Sequence, residues 1–272
     1  MRFDYTTVGH VTADVMTDGS RQPGGSAFYS ALQAARLGRR TLILTRGDRD
    51  EVEELLAPYA GELELELAEA PCTTALQTSG KGRERGQRVL AWAGPIAPDV
   101  RVDSAVLHLA PVARETPSNW RGEAGLVGLT PQGLLRTWSL PQDAVVLRAL
   151  EPSQLPERLD AAVLSATERP FCTALLDGRA VVAVTDEDEP TELLVPGRDP
   201  LTLEVPPVEP LLDDMGAGDV FAAAFFIALA DGEDARAATV FANAAAAVRL
   251  SGFGPDAVGD RAAIEARLGA CG

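Results

Sequence analysis

The first third of the chain alternates short β-like runs with helix-like stretches, and no other feature constrains the fold as strongly. Strands are predicted at 3–9, 40–45 and 62–67 from runs of β-branched, aliphatic and aromatic residues. Helices are predicted between them, at 27–37 and 50–56. A β-α-β-α-β order favours parallel strands joined by right-handed crossovers. The chain is therefore predicted to be an α/β protein with a mainly parallel sheet.

The remainder of the chain supplies more strands and two late helices. Further strands are predicted at 104–109, 124–129, 144–147, 161–164, 172–176 and 181–184. The last two are expected to form a hairpin across Asp177-Gly178, a dipeptide typical of hairpin turns, and 186–189 is expected to be a solvated loop. An alanine-rich helix is predicted at 234–250 and a final helix at 260–268.

Residues 72–94 interrupt the alternation. Two strands, at 73–78 and 87–92, are joined there by a glycine-rich, charged loop. A hairpin inserted into an α/β chain is a candidate lid or dimer contact, and a decorative surface hairpin is the alternative. Because no internal repeat or low-complexity linker is present, residues 1–272 are predicted to form a single domain that carries this hairpin.

Composition and charge exclude several classes of protein. With 46% hydrophobic and 24% charged residues, the 272-residue chain has the composition of an ordinary soluble globular protein. It contains no apolar run of membrane-span length, and its N-terminus lacks a signal-peptide core, so a cytoplasmic location is expected. The three cysteines are far apart and are expected to be reduced. A net charge of −16 argues against nucleic acid and anionic membranes as partners.

The stretch from Asp213 to Asp219 combines a glycine-rich turn with the start of an apolar helix. Glycines let a ligand approach the backbone, and the first N–H groups of a helix lack intrahelical partners and lie at its positive end. Gly216-Ala217-Gly218 therefore predicts an anion site, with phosphate as the usual anion. Asp219 would take the proton from a hydroxyl that attacks the phosphate. The alternative is an ordinary turn in which Asp219 only complements the helix dipole.

A second glycine pair, Gly24-Gly25, precedes the first helix and lets a ligand lie against the backbone there. The following residues fit neither a serine-hydrolase elbow nor a P-loop, because the closing glycine and the Gly-Lys-Ser/Thr sequence are missing. Asp14 lies just beyond the first strand, where residues face the ligand crevice in open α/β sheets. A solvated loop acid is the alternative for Asp14.

Together these motifs resemble the signatures of the PfkB, or ribokinase-like, carbohydrate kinases. Asp213-x-x-Gly216-Ala217-Gly218-Asp219 resembles the second signature, and Gly24-Gly25 with the helix closed at Gly38 resembles the first. The order of strand, Asp14, glycine pair, hairpin and late glycine-rich turn matches from end to end. The resemblance implies a three-layer α/β/α fold with a β lid, and an enzyme that uses ATP to phosphorylate an alcohol of a sugar, polyol or nucleoside.

The resemblance also implies roles for individual residues. Asp219 would be the catalytic base, and the backbone N–H groups of Ala217, Gly218 and Asp219, in the turn that begins at Gly216, would form the anion hole. The residues in contact with the substrate would be Asp14, Gly24, Gly25 and Tyr29. The residues that border the nucleotide would be Asp213, Asn243, Gly252 and Gly254. Glu151 would contact a Mg²⁺ ion that bridges the phosphates, largely through water. A homodimer through the lid is a further expectation from the family.

Four positions depart from the family pattern. Asp214 replaces the usual Thr, Ser or Pro, and Tyr29 replaces a substrate-binding Asn. The Asn-x-x-Glu magnesium motif keeps only Glu151, with Arg148 in place of Asn, and Thr173-Ala174-Leu175 replaces Thr-x-Gly near the nucleotide.

The departures leave two functions open: a kinase, or a catalytically silent relative that binds a metabolite or a partner protein. The intact Gly216–Asp219 turn favours the kinase. The stretch 128–133 is similar to shorter branches of the family, some of which resemble inositol or other polyol kinases.

Overall fold

The computed structural model describes residues 2–16, 18–80, 86–139 and 144–269. In chain order the strands are β1 (Phe3–Val8), β2 (Thr12–Val15), β3 (Arg21–Gly24), β4 (Thr41–Gly47), β5 (Glu64–Glu69), β6 (Ala75–Ser79), β7 (Gly86–Ala91), β8 (Ser104–Leu109), β9 (Ala124–Leu129), β10 (Arg136–Thr137), β11 (Val146–Leu147), β12 (Ala161–Ser165), β13 (Val181–Asp186), β14 (Glu189–Leu194) and β15 (Leu201–Leu203). The helices are α1 (Ser26–Arg36), α2 (Arg49–Leu56), α3 (Gln132–Leu135), α4 (Ala217–Ala230), α5 (Ala235–Leu250) and α6 (Arg261–Gly269).

The central sheet contains nine strands in the order β15-β14-β13-β12-β9-β8-β1-β4-β5. Pairing is parallel from β13 to β5 and antiparallel only where β14 and β15 extend one edge. The predicted mainly parallel sheet is thus confirmed. The carboxyl ends of the parallel strands all lie at the same end of the sheet, and ligands bind at that end in open α/β sheets.

Side chains alternate between two cores on opposite faces of the sheet. On β4, Ile43 packs into the core beneath the long helices, whereas Leu42 and Leu44 face the other core. That second face is covered by α3 and by short 3-10 turns such as Thr173–Leu175. None of the helices in the described ranges is long and apolar enough to cross a membrane.

Helix α4 is the central element of the helical face. It is apolar on nearly every side, as expected for a helix buried all round, and packs between α1, α5 and the strands β8, β9 and β12. Gly128 on β9 allows this close approach, because a Cβ there would lie 2.5 Å from the ring of Phe226. The sheet and its two neighbouring helices therefore fix where α4 begins.

One predicted hairpin is wrong. Residues 172–176 do not form a strand but belong to a 3-10 turn, Thr173–Leu175. Cys172 and Leu175 are buried three residues apart, a spacing that fits a 3-10 turn as well as a short apolar strand. Strand β13 instead pairs in parallel with β12 and forms its hairpin with β14, so the predicted loop at 186–189 is a tight, largely exposed turn.

The inserted hairpin is present as β6 and β7, but it belongs to a larger sheet. Strands β2 and β3, which the sequence analysis missed, pair with it in the order β3-β2-β6-β7. The middle of the hairpin loop, 81–85, lies outside the described residues. We call this four-stranded sheet the lid sheet. The single-domain arrangement stays a prediction.

Replacing Gly128 tests the close packing of α4 on the sheet. We expect Gly128→Ala to lower the free energy of unfolding by about 1–3 kcal/mol, because the new methyl group would overlap the ring of Phe226. Gly61→Ala is the matched control, since a Cβ there meets nothing within 4 Å. Urea unfolding of both variants measures the difference. Equal stabilities would contradict the close packing.

Candidate active site

A polar pocket lies between the lid sheet and the start of α4. Its lining residues are Asp14, Gly25, Ser26, Tyr29, Leu76, Gln87, Val112, Gln132, Arg136, Met215, Gly216 and Asp219. Five of the residues predicted from the sequence are therefore brought together: Asp14, Gly25, Tyr29, Gly216 and Asp219. They come from the first 30 residues and from residues 216–219 of the chain, and the fold brings these two segments together.

The turn that starts α4 depends on glycine at position 216. Gly216 has φ 73°, in the left-handed region, and a Cβ on it would lie 2.3 Å from the ring of Tyr29. The first helical bond runs from Val220 N–H to Gly216 O, at 2.9 Å. Gly218 is exposed, with open space on its Cα, so a ligand can approach the helix start. These features suit an anion at the helix N-terminus.

Asp219 is held from both its backbone and its side chain. The Ser30 hydroxyl donates to the Asp219 carbonyl oxygen at 3.1 Å. The Gln132 amide N–H donates to Asp219 Oδ1 at 3.2 Å, and it also contacts Ser26 Oγ. The carboxylate therefore has a fixed orientation toward the pocket.

Arg136 determines which way the Gln132 amide points. Its Nη2 donates to Gln132 Oε1 at 3.0 Å, and its Nη1 donates to Val112 O at 2.8 Å. Because a guanidinium can only donate, the amide oxygen must face Arg136 and the N–H₂ group must face Asp219. Burial lowers the pKa of Arg136, and nearby carboxylates, including Glu168 and Asp219, oppose that shift.

Sequence reasoning missed the roles of Gln132 and Arg136. The Gln132-Gly133 stretch after β9 was conspicuous, but no local pattern connects it with a helix almost ninety residues later. The signal that could have found it is position: the residues follow the carboxyl end of a predicted parallel strand.

Asp14 lies on the lid strand β2, not in a loop after β1. The Thr12 hydroxyl donates to Asp14 Oδ1 at 2.8 Å. Gly24 packs against it, since a Cβ on Gly24 would lie 2.2 Å from Asp14 Oδ2. Gly25 has φ 89°, and a Cβ there would lie 2.5 Å from His10 O. The glycine pair thus lets the start of α1 lie directly against the lid sheet.

Asp213 ties the turn to the end of α5. Its carboxylate accepts from Met215 N–H at 3.0 Å, Arg249 Nη2 at 2.6 Å and Gly254 N–H at 2.9 Å. Burial alone would raise the pKa of Asp213, but these hydrogen bonds outweigh it and hold the pKa below its usual value. Arg249 is fully buried and lies over the Tyr29 ring, 5.5 Å from its centre. Burial also raises the pKa of Tyr29 to about 12.

The other predicted nucleotide and metal residues lie outside the pocket lining. Asn243 is buried, and its amide is bonded to Thr191 Oγ1 and Glu204 O, at 2.8 and 3.2 Å. Gly252 packs against Ala257, where a Cβ would come within 2.6 Å. Glu151 is exposed and precedes the turn Pro152–Gln154.

The predicted Mg²⁺ ion would take most of its ligands from the phosphates of the donor and few from the protein. Among the described residues, no group of three His, Cys, Asp or Glu side chains could hold a metal ion. Mg²⁺ in phosphoryl-transfer sites needs only one or two carboxylates, because phosphates and water complete its shell. The site fits an ion that arrives with bound phosphates.

Comparison with known proteins defines the class of fold. The chain aligns with a pyrophosphate-dependent kinase in the ribokinase family complexed with a pyrophosphate analog and myo-inositol, with 21% identity, 96% of this chain and 99% of that chain covered, and TM-score 0.76. It aligns with Arabidopsis thaliana ribokinase complexed with ribose and ATP, with 18% identity, 98% and 99% covered, and TM-score 0.73. The chain therefore has the three-layer ribokinase-like fold.

Sequence comparison then points to the family. The model of the pfkB family carbohydrate kinases matches residues 173–259, which include the turn at the start of α4. A stretch of 48 residues is 56% identical to the ribokinase of Bacillus subtilis (strain 168) and makes up 18% of this chain and 16% of that protein. The predicted resemblance to the PfkB, or ribokinase-like, carbohydrate kinases is confirmed.

The Asp213–Arg249 pair predicts a pH-dependent stability. Because the pKa of Asp213 is lowered by folding, its contribution is complete above about pH 4 and is lost as the pH falls through the lower folded value. We expect Asp213→Asn to cost roughly 3 kcal/mol at pH 7, where it leaves the Arg249 charge buried and unpaired. The difference from the unmodified protein should narrow toward about pH 3.

Urea unfolding at several pH values measures this difference. Asp188→Asn, in the exposed turn between β13 and β14, is the control that removes a carboxylate without breaking a buried pair. A difference between Asp213→Asn and the unmodified protein that is constant with pH would contradict the assignment.

Proposed function

We propose that the protein is a kinase that transfers a phosphoryl group from ATP to an alcohol of a small sugar, polyol or nucleoside. One observation carries the proposal: Asp219 lies in the first turn of α4, beside an exposed glycine turn and inside a pocket covered by the lid sheet. A base and a phosphate-binding helix start, placed side by side, are what phosphoryl transfer to a hydroxyl requires.

In the proposed reaction Asp219 accepts the proton of the acceptor hydroxyl. The hydroxyl oxygen forms a bond to the γ-phosphorus, the bond from that phosphorus to the bridging oxygen breaks, and ADP leaves with the electron pair. The N–H groups at the start of α4, from Ala217 and Gly218, stabilise the negative charge on the transferred group. Mg²⁺ brought by the phosphates would neutralise part of their charge, with Glu151 as its predicted contact through water.

Gln132 acts on this reaction as a positioning residue. Its N–H donates to Oδ1 of Asp219 and stabilises the ionised carboxylate in one orientation. Arg136 prevents the amide from turning round, since it occupies the amide oxygen. The base is thereby set before the acceptor binds, which lowers the reorganisation needed for proton transfer.

The lid sheet supplies the acceptor side of the pocket through Leu76, Gln87 and Asp14. A cover over the reacting groups excludes water and limits hydrolysis of the donor. Carboxylates such as Asp14 accept hydrogen bonds from substrate hydroxyls. A homodimer through the lid and a cytoplasmic location remain part of the proposal.

The comparisons support this class of substrate without selecting a member. One neighbour is complexed with myo-inositol, another is complexed with ribose, and a third is named an adenosine kinase. One neighbour is complexed with ATP and another is a pyrophosphate-dependent kinase, so both donors are tested with each acceptor.

A silent, ligand-binding relative is the second candidate. The observation that favours it is Asn243, a predicted nucleotide residue whose amide is used by Thr191 and Glu204. Thermal-shift measurements with ATP–Mg²⁺ and with pyrophosphate–Mg²⁺ distinguish the two. Absence of stabilisation by millimolar amounts of either donor would favour the silent relative.

Removing the base tests the kinase directly. We expect Asp219→Asn to reduce acceptor-dependent release of ADP, or of phosphate from pyrophosphate, by at least about 10³-fold, because general-base catalysis and charge at the reacting hydroxyl are lost together. Asp231→Asn is the matched control at the other end of α4, where Asp231 pairs with Arg39. Turnover unchanged in Asp219→Asn, or no turnover with any sugar, polyol or nucleoside, would refute the proposal.

Replacing Gln132 tests its positioning role separately from the role of the base. We expect Gln132→Met to lower kcat by about 10–100-fold, the value of one hydrogen bond to a charged group. The acid limb of the pH profile of kcat/KM should move to higher pH, since the ionised carboxylate loses a donor. Asn119→Leu, which removes an exposed amide outside the pocket lining, is the control. A lower kcat with an unmoved pH profile would mean that Gln132 only supports packing.

A further inference from the structure

Two titratable side chains are fully buried between the central sheet and α4, and the proposed reaction uses neither of them. Tyr5 on β1 and His108 on β8 have no solvent exposure, and the Tyr5 hydroxyl lies 2.8 Å from His108 Nδ1. On the other side of the imidazole, His108 Nε2 lies 3.1 Å from Thr130 Oγ1. The imidazole packs edge-on against the ring of Phe226 on α4, with ring centres 4.9 Å apart.

Ser30 connects this pair with the candidate base. Ser30 is fully buried on α1, and its hydroxyl donates to the carbonyl oxygen of Asp219 at 3.1 Å. Burial, and after it the charge of Asp219, raises the pKa of Tyr5 well above its usual value, whereas a hydrogen bond with Ser30 acts in the opposite direction. Ser30 therefore lies between the Tyr5 phenol and the backbone of Asp219. We call Tyr5, Ser30, His108 and Thr130 the buried network.

The direction of each hydrogen bond in the buried network follows from its end at Asp219. A backbone carbonyl can only accept, so the one proton of Ser30 Oγ goes to Asp219, and Ser30 Oγ accepts from Tyr5. The Tyr5 oxygen then accepts from His108 Nδ1–H. Burial lowers the pKa of His108 to about 3, so the ring is neutral and carries a single proton. Its Nε2 is consequently the acceptor for the Thr130 hydroxyl.

The other end of the buried network leads back to the same carboxylate. Thr130 directly follows β9 and precedes Gln132 by two residues, and Gln132 donates to Asp219 Oδ1. Asp219 is thus held at its carbonyl oxygen by Ser30 and at its side chain by Gln132. The buried network joins the two segments that carry these donors.

Packing alone does not require polar groups at these positions. Replacing both partners of a buried hydrogen bond with apolar groups of the same shape is nearly neutral for stability. A fully satisfied polar network instead favours one arrangement of its members, because each hydrogen bond has a preferred length and direction. A base that must meet a hydroxyl in one orientation benefits from such an arrangement.

We propose that the buried network positions the base, with Ser30 holding the Asp219 carbonyl and Tyr5 holding Ser30. This inference rests on the proposed kinase function. The four members of the network are positioning residues, since they are buried and act on the reaction only through Asp219. Two consequences can be measured: the tautomer of His108, and the dependence of turnover on hydroxyl groups that contact neither substrate.

The tautomer of His108 tests the network without an assay of activity. The chain contains two histidines, which simplifies the assignment of imidazole ¹⁵N resonances. We expect His108 to be the neutral Nδ1–H tautomer from about pH 5 to 8. In Tyr5→Phe the acceptor of that proton is lost, and the ring should convert to the Nε2–H tautomer, which can donate to Thr130. An Nε2–H tautomer in the unmodified protein would overturn the proposal.

Removing hydroxyls of the network tests their effect on the base. We expect Tyr5→Phe and Ser30→Ala each to lower kcat by about 2–10-fold, the value of one neutral hydrogen bond, with KM for donor and acceptor unchanged. Tyr59→Phe and Ser104→Ala are the matched controls, because they remove a phenol and a buried serine hydroxyl that lie outside the network. Ser30→Ala keeps the test open if Tyr5→Phe fails to fold.

The backbone carbonyl of Asp219 gives a further measurement that needs no turnover. Its ¹³C resonance should move in Ser30→Ala and Tyr5→Phe, where the hydrogen bond it accepts is lost or weakened, and should stay in place in Tyr59→Phe. Unchanged kcat in Ser30→Ala and Tyr5→Phe would overturn the positioning role and leave the kinase function standing. If no alcohol is phosphorylated, the kinase function fails, and the Asp219 resonance decides. A signal that moves in both variants supports the hold on Asp219, and an unmoved signal overturns it.

Discussion

The candidate site depends on one buried ion pair. Arg249, which is inaccessible to solvent, binds the Asp213 carboxylate and lies over the ring of Tyr29, and that ring fills the space beside Gly216 where a side chain would otherwise be. The pair therefore fixes both the loop that leads into α4 and the surface against which its first turn rests. An anion site made from backbone N–H groups is useful only if the backbone is held still.

The fold was predictable where the signal is local and periodic. The parallel strands and the long helices were predicted within a few residues, because alternating or helical apolar patterns reflect which face each element buries. The error at 172–176 came from a run too short to distinguish a strand from a 3-10 turn. Strands β2 and β3 were missed because their residues, such as Pro23 and Gln22, lack a strand pattern and are stabilised by pairing.

The parts of the candidate site that could be predicted are those where the backbone requires glycine. Gly216 and Gly25 have positive φ and tight surroundings, and these requirements are visible in the sequence as a residue type. Gln132 and Arg136 carry no such mark, since their importance lies in contacts with Asp219 and Val112 that only the folded sheet creates. The nucleotide role of Asn243 stays a prediction; in the fold its amide is bonded to Thr191 and Glu204, at the edge of the sheet.

In the proposed kinase, the acceptor and donor sides of the site would recognise their ligands in different ways. On the proposed donor side, next to the pocket, the side chains of Asp213 and Arg249 are engaged with each other and with nearby backbone, so phosphate would be bound chiefly by N–H groups at the start of α4. Such groups recognise phosphate oxygens regardless of what the phosphate is attached to, and a nucleotide and pyrophosphate present the same oxygens to them. On the lid side, Asp14, Gln87 and Arg136 present side chains to the pocket, and side chains distinguish one alcohol from another by where each hydroxyl must lie to form its hydrogen bonds. If the proposed function holds, selectivity for the acceptor resides in side chains, and selectivity for the donor comes from the loops beyond the turn.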